Sequence, residues 1–252
     1  MQKYQTKYSL SAIWYKSIRH ADHIFTTFQN LCMNVRIALL LFVFTLMWST
    51  LSCAEEPQRI KLQSHKGKKT MNDTQQTETA ILGAGCFWCV EAVYQQLQGV
   101  ISVQSGYCGG TTDKPTYKEV CNGTTGHAEV CKVVFDPAVI SFTELLEVFW
   151  SVHDPTTLNR QGADVGTQYR SAIFYTNAAQ KELAETYKKQ LDAAHTFSDP
   201  IVTQITAATE FFPAEDYHAD YFNRNPNQGY CTMVVRPKVE KFKKAFSDKL
   251  KK

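Results

Sequence analysis

Charge of one sign is what this chain has least of. Its 27 lysines and arginines stand against 24 aspartates and glutamates, a formal net charge of only +3 over 252 residues. That balance argues against a nucleic-acid-binding surface, which needs a concentrated positive face. The basic residues that do gather, Lys66, Lys68 and Lys69 early and those between Lys238 and Lys252 late, read as solvated faces. The apolar run Ile37 to Trp48 is too short to cross a bilayer, which takes about 20 residues. No internal repeat is visible. Cysteines are too sparse for a disulfide scaffold: beyond Cys32 and Cys53 there are Cys86, Cys89, Cys108, Cys121, Cys131 and Cys231. Cys86 and Cys89 have no second close pair, which a zinc site would require, so no metal is expected.

The first third reads as an address rather than a fold. Met33-Asn34-Val35-Arg36 begins a short basic region, Ile37 to Trp48 supplies an apolar core, and Ser52-Cys53-Ala54 offers a small-x-small cleavage site. Residues 33–54 are therefore expected to be a secretory signal peptide. Residues 1–32 are expected to be a mis-called extension or a long leader, 55–77 a polar flexible linker, and 78–250 the catalytic domain. Export to the periplasm follows. Cys53 after Thr50-Leu51-Ser52 could serve instead for lipid attachment, but Thr50 is a poor match and simple cleavage is favoured.

The domain alternates strands and helices. Strands are expected over 79–84, 100–107, 128–135, 170–175 and 201–205. Helices are expected over 87–98, from the Ser141–Glu144 capping box through Trp150, over 178–194, 214–223 and 239–250. A polar loop, too hydrophilic for core, is expected from His153 to Gln168. The expected fold is α/β (α+β), a mixed sheet in a ferredoxin-like two-layer core with extensions.

The densest chemistry is Cys86-Phe87-Trp88-Cys89, between a strand, a glycine turn and a helix start. A cysteine there faces unpaired N–H groups and the positive end of the helix dipole, which favour a thiolate. Cys-x-x-Cys has three readings: a zinc site, a thioredoxin-type dithiol, and a nucleophile whose aromatic neighbours bind an apolar group. In thioredoxin-type motifs the aromatic normally precedes the first cysteine, whereas here Phe87 and Trp88 lie between the two. Gly126-His127-Ala128-Glu129 and Gly162-Ala163-Asp164 each place an acid beside glycine. By itself Glu129, opening a strand, reads as a solvated edge residue.

Ten segments occur in order. They are Gly85-Cys86-Phe87-Trp88, Gly106-Tyr107, Gly109-Gly110, Pro115-Thr116-Tyr117, Gly126-His127-Ala128-Glu129, Phe149-Trp150, His153-Asp154-Pro155-Thr156, Asn159-Arg160-Gln161-Gly162, Gly166-Thr167-Gln168-Tyr169-Arg170-Ser171 and Ala214-Glu215-Asp216-Tyr217-His218. Together, over about residues 78–245, the chain resembles peptide methionine sulfoxide reductase of the A type. The resemblance implies that Cys86 is the nucleophile, with Phe87 and Trp88 holding the substrate methyl group. Glu129 would be a protonated acid, and Tyr107 and Tyr169 would hydrogen-bond the sulfoxide oxygen. Asp164 and His218 would lie near the site. It also implies reduction of the S epimer in oxidised proteins and peptides or in free methionine sulfoxide. No bound cofactor is implied, only an external thioredoxin or periplasmic thioredoxin-like dithiol. The enzyme is expected to be a monomer.

Many relatives have glycine where this chain has Cys89 and recycle through a C-terminal cysteine. Gly229-Tyr230-Cys231 is similar to that site, but the glycine-rich tail that commonly follows is replaced by Thr232-Met233-Val234-Val235. Cys89 is the favoured resolving thiol and Cys231 the alternative, with a relay through both also open. Cys108, Cys121 and Cys131 are expected to be packing residues. The rival readings are a general thiol-disulfide oxidoreductase and a metal- or peptide-binding module.

Overall fold

The computed structural model describes residues 76–252; the expected leader, signal peptide and nearly all of the linker lie outside the described residues. Strand β1 (Glu78–Ala84) carries an apolar run through its centre and is buried from Ala80 to Ala84, as a strand covered on both faces requires. Gly85, at φ +86°, turns the chain straight into helix α1 (Phe87–Tyr94). A Cβ at Gly85 would fall 2.6 Å from the Gln161 side chain, so both conformation and space reserve the position for glycine. The apolar period predicts a helix as far as Gln98, but α1 ends at Tyr94. The C-terminal segment captures the next backbone groups: Gln98 N–H donates to Lys249 O and Lys251 N–H to Gln96 O, both at 2.8 Å.

Strand β2 (Val100–Cys108), the short helix α2 (Tyr117–Cys121), strand β3 (Ala128–Phe135) and helix α3 (Phe142–Val152) follow. The Ser141–Glu144 capping box opens α3 as expected, and Thr116–Glu119 makes a second one for α2. A small hairpin, β4 (Arg160–Gln161) and β5 (Asp164–Val165), precedes β6 (Ser171–Tyr175), helix α4 (Ala178–Ala193), β7 (Gln204–Ala207) and β8 (Phe212–Pro213). The chain ends through α5 (Tyr221–Arg224), a π-helical turn (Cys231–Val235) and α6 (Arg236–Ala245).

The main sheet among the described residues has the order β7-β6-β1-β3-β2-β8. Only the β6–β7 pair is parallel. Its central four strands, β6-β1-β3-β2, with α1 linking β1 to β2 and α3 following β3, form the expected ferredoxin-like core. The face bearing Leu82, Cys131, Val133, Phe135 and Ile173 packs against apolar residues of α1, α3 and α6. The opposite face carries a smaller cluster, Ile81, Val130, Ala172 and Phe174, covered in part by Ala208 and Phe211.

Five further local expectations change. His153 and Gln168, placed in a polar loop, are buried. His153 Nδ1 donates to Phe149 O and Nε2 bonds the Ser171 hydroxyl, each at 2.7 Å; burial pushes its pKa down to about 4, which keeps the ring neutral. The helix expected over 214–223 is a 3-10 turn (Asp216–His218), a left-handed corner at Asp220 and the short α5. The strand expected over 201–205 starts only at Gln204, and the terminal helix over 236–245 is earlier and shorter than expected. Cys108 and Cys131 are buried as expected, but Cys121 is exposed and does not pack in the core.

Strand β8 attaches where β2 has no side chain: Gly106 pairs with Pro213. A Cβ there would lie 2.5 Å from Phe212 O and 2.4 Å from the Phe211 ring. Gly106→Ala is therefore expected to cost about 1–3 kcal/mol of stability, as overpacking of a tight site does. The measure is the urea midpoint at unchanged slope; a wild-type midpoint would show that β8 is not held this tightly.

Candidate active site

Cys86 occupies the N-cap position of α1 and is 6% exposed. Its carbonyl accepts from the N–H groups of Cys89 and Val90. The N–H of Phe87, which the helix itself cannot satisfy, donates to Glu129 Oε2 at 3.1 Å. Glu129 stands opposite Tyr107 in the β2–β3 register. It is 1% exposed, so the solvated-edge reading of its position does not hold. Burial pushes its carboxyl up to about 8; the negative charges of Asp164 and Cys89 add to this, and the Phe87 N–H opposes it. At neutral pH Glu129 is therefore mostly the neutral acid. Because Oε2 accepts from Phe87, the acid proton belongs on Oε1.

The thiols depart from the sequence expectation. A helix N-terminus favours thiolate, yet burial pushes the Cys86 thiol well above its usual range. Its hydrogen bond to Cys89 and the charge of Glu129 act in the same direction. Cys89 is shifted the other way, chiefly by the hydrogen bond from Cys86, with help from Lys238. The two sulfurs thus share protons as a pair: the first leaves readily, and Cys86 holds the second. The first helix N–H, which could have stabilised a Cys86 thiolate, is engaged by Glu129.

Aromatic rings surround this pair. Phe87 is fully buried, with ring centroids 4.9 Å from His218, 6.0 Å from Tyr107 and 6.3 Å from Tyr117. Trp88 is half-buried and stacks on Tyr221 at 3.8 Å with 5° between planes. Its indole N–H donates to His218 Nδ1 at 3.0 Å. That bond leaves the ring proton of a neutral His218 on Nε2, which is buried and without a hydrogen-bond partner among the described residues. Burial lowers the His218 pKa.

Tyr107, expected to meet the sulfoxide oxygen, donates its hydroxyl proton to Glu215 Oε2 at 2.8 Å; the other Glu215 oxygen accepts from Tyr117 N–H. Tyr107 therefore holds Glu215 in the resting site. Tyr169 is half-buried near the reacting groups, its phenol raised by burial and by the charges of Glu129, Cys121 and Cys86. Asp164 accepts from the Tyr230 hydroxyl at 2.6 Å, and that hydroxyl also contacts both Cys86 and Cys89. Cys231, buried at the next position, has its thiol raised by burial and by the nearby charge of Cys89.

The structure thus gathers every residue expected from the sequence and adds Tyr117, Glu215, Tyr221 and Tyr230. Tyr117, Glu215 and Tyr230 lay inside recognised segments, but no local signal distinguished them. Tyr221 lay outside all of these segments. Among the described residues no group of three or more histidine, cysteine or acidic side chains is placed to hold a metal ion.

Residues 78–250 match the sequence profile of the family described as peptide methionine sulfoxide reductase. The peptide methionine sulfoxide reductase MsrA of Chromobacterium violaceum is 56% identical over 170 residues, covering 68% of this chain and 97% of that protein. The protein of the same name from Leptospira borgpetersenii is 57% identical over 167 residues, covering 66% and 94%. Among solved structures, reduced Mxr1 from Saccharomyces cerevisiae is 36% identical with a TM-score of 0.56, covering 63% of this chain and 91% of its own. Methionine sulfoxide reductase A of Corynebacterium diphtheriae is 40% identical at the same TM-score, covering 62% and 78%. The match runs through every segment that builds the site, from β1 to the close of the domain, and the chain belongs to the peptide methionine sulfoxide reductase family.

Proposed function

We propose that this enzyme reduces the S epimer of methionine sulfoxide, in oxidised proteins and peptides and as the free amino acid, through a thiol cycle centred on Cys86. The observation that carries the reading is the buried, neutral Glu129 bonded to the N–H of the residue next to Cys86. Disulfide exchange expels a thiolate, which needs a proton donor far less than a sulfoxide oxygen does, so a general thiol-disulfide oxidoreductase is the weaker reading.

The steps combine the chemistry implied by the family with the geometry around Cys86. The substrate methyl group is assigned to the aromatic wall of Phe87 and Trp88, whose ring centroids lie 6.4 Å apart. Cys86, giving up its proton, attacks the sulfoxide sulfur. The sulfoxide oxygen becomes strongly basic as negative charge gathers on it, and Glu129 Oε1 supplies a proton. Tyr169, close enough to feel the charges of Glu129 and Cys86, is assigned a hydrogen bond to the same oxygen. The substrate's S–O bond and the transient bond between the two sulfurs break as an S–O bond forms on Cys86, leaving methionine and a sulfenic acid, and the proton that Cys86 released returns Glu129 to its neutral form. A second thiol then displaces water from that sulfenic acid to give a disulfide. An external dithiol of the thioredoxin type reduces the disulfide by exchange and is itself oxidised.

Cys89 is the favoured second thiol because it is already hydrogen-bonded to Cys86 and its pKa is depressed, which raises its thiolate fraction. Cys231, whose thiol is raised in part by the charge of Cys89, is the alternative second thiol, with a relay through both also open. The enzyme acts as a monomer. The signal-like residues 33–54 support export, with Cys53 as an alternative lipid anchor, and export calls for a periplasmic thioredoxin-like donor. Fractionation that left the mature protein in the cytoplasm would contradict export.

With racemic N-acetylmethionine sulfoxide and dithiothreitol, consumption is expected to stop at half, and no consumption would sink the reading. Activity should fall as pH rises through about 8, because Glu129 acts in its protonated form and that form is lost above its raised pKa. Glu129→Gln keeps a hydrogen-bond donor but cannot give up a proton, so kcat should drop about 10²–10⁴-fold. Exchange of Cys86 with a small disulfide should not fall comparably in that variant, since losing the Glu129 charge only eases the release of the Cys86 proton. Equal loss of both activities would point to the rival reading.

After one turnover without reductant, mass mapping is expected to find Cys86 joined to Cys89. Cys231→Ser should retain that bond and Cys89→Ser should divert it to Cys231. A Cys86–Cys231 bond in the unaltered protein would overturn the order of the two thiols.

A further inference from the structure

Helix α1 and the residue that follows it carry two polar side chains, Glu91 and Gln95, that the reaction does not use. Trp88, Glu91 and Gln95 stand at i, i+3 and i+7 and so share one side of the helix and its C-terminal extension. Glu91 is 4% exposed, an unusual place for a carboxyl group without a catalytic task. Its Oε2 accepts from the Asp220 N–H at 3.1 Å, and the Tyr221 N–H and Ser105 hydroxyl also act on it. Gln95 Nε2 donates to Asp220 Oδ1 at 3.1 Å, and Asn223 Nδ2 donates to the same oxygen at 2.6 Å.

What these bonds hold is a strained corner. Asp220 lies at φ +52°, ψ +37°, in the left-handed region, which costs an L-residue energy unless its surroundings enforce it. The corner joins two rings that meet Trp88 in different ways. His218, on one side of it, accepts the indole N–H; Tyr221, on the other, stacks on the indole face. A relaxed Asp220 would change the direction of the chain between them, and both contacts could not then be kept.

We propose that Glu91 is a positioning residue for the substrate pocket: by pinning the left-handed corner at Asp220 it sets His218 and Tyr221 against Trp88. The inference rests on Trp88 being a wall of that pocket. Burial pushes the Glu91 carboxyl up to about 7, so a neutral form is already populated near neutral pH. Glutamine imitates that form and keeps an oxygen for the Asp220 N–H, whereas alanine keeps nothing.

The test compares Glu91→Ala with Glu91→Gln, following KM and kcat for a methionine sulfoxide peptide and the Trp88 indole N–H resonance by NMR. Glu91→Ala should raise KM roughly 10-fold with a much smaller change in kcat, the size expected for losing one buried hydrogen bond. It should also move the indole resonance. Glu91→Gln should restore both close to the unaltered protein. In a Trp88→Phe background, Glu91→Ala should raise KM no further. An unmoved resonance, or a loss confined to kcat, or an undiminished effect in the Trp88→Phe background, overturns the proposal. If Glu91→Ala fails to fold, Gln95→Ala removes the second anchor of the same corner and must move KM and the resonance in the same direction. The resonance reports on the corner even if methionine sulfoxide is not the substrate, so failure of the proposed function and failure of this inference are told apart.

Discussion

One hydrogen bond organises the site: the Phe87 N–H to Glu129 Oε2, at 3.1 Å. It ties the start of α1 to the middle of the sheet, and so fixes Cys86, one residue earlier, above β3. It uses the helix N–H that would otherwise stabilise a thiolate, and it decides which carboxyl oxygen carries the proton. The Cys131 thiol adds a second tie between the same elements by donating to Phe87 O at 3.5 Å. Without these ties Glu129 would be a buried acid with no partner, a costly arrangement. With them it is a buried acid held at the right place in the neutral state.

Around this link the protein separates two tasks by distance from water. Phe87 is completely buried and belongs to the core, whereas Trp88, the next residue, is only half-buried and is held from outside by His218 and Tyr221. The first aromatic is thus set mainly by the core, with His218 against its ring, and the second by contacts with the segment 214–224. Tyr107 and Tyr117 close the circle by gripping Glu215 at the start of that segment. The pocket is therefore shared between the ferredoxin-like core and one of its extensions, and its shape depends on how the extension docks.

Much of this was legible in the sequence, and the failures have a common cause. The central strands, the Ser141 cap and the glycine turn before Cys86 followed from period and local chemistry, which act over a few residues. The errors fell where distant chain intervened. Helix α1 stops early because residues 249–251 pair with its end. His153 and Gln168 are polar and buried because partners elsewhere satisfy most of their groups. The segment 214–223 is not a regular helix because α1 holds Asp220 in a left-handed corner. Cys121, read as packing, ends a short helix on the outside.

The order of the motifs alone determined the family and singled out the residues that gather around Cys86, because those depend on residue identity and spacing. What only the tertiary structure decided is the state in which those residues meet it. Glu129 is neutral, Cys86 keeps its proton while Cys89 loses its own more easily, and Tyr107 is engaged with Glu215. Each of these is set by burial and by charges brought together from β3, α1, β5 and the C-terminal segment. Protonation depends on the surrounding field and solvent, and a linear sequence carries neither until the chain has folded.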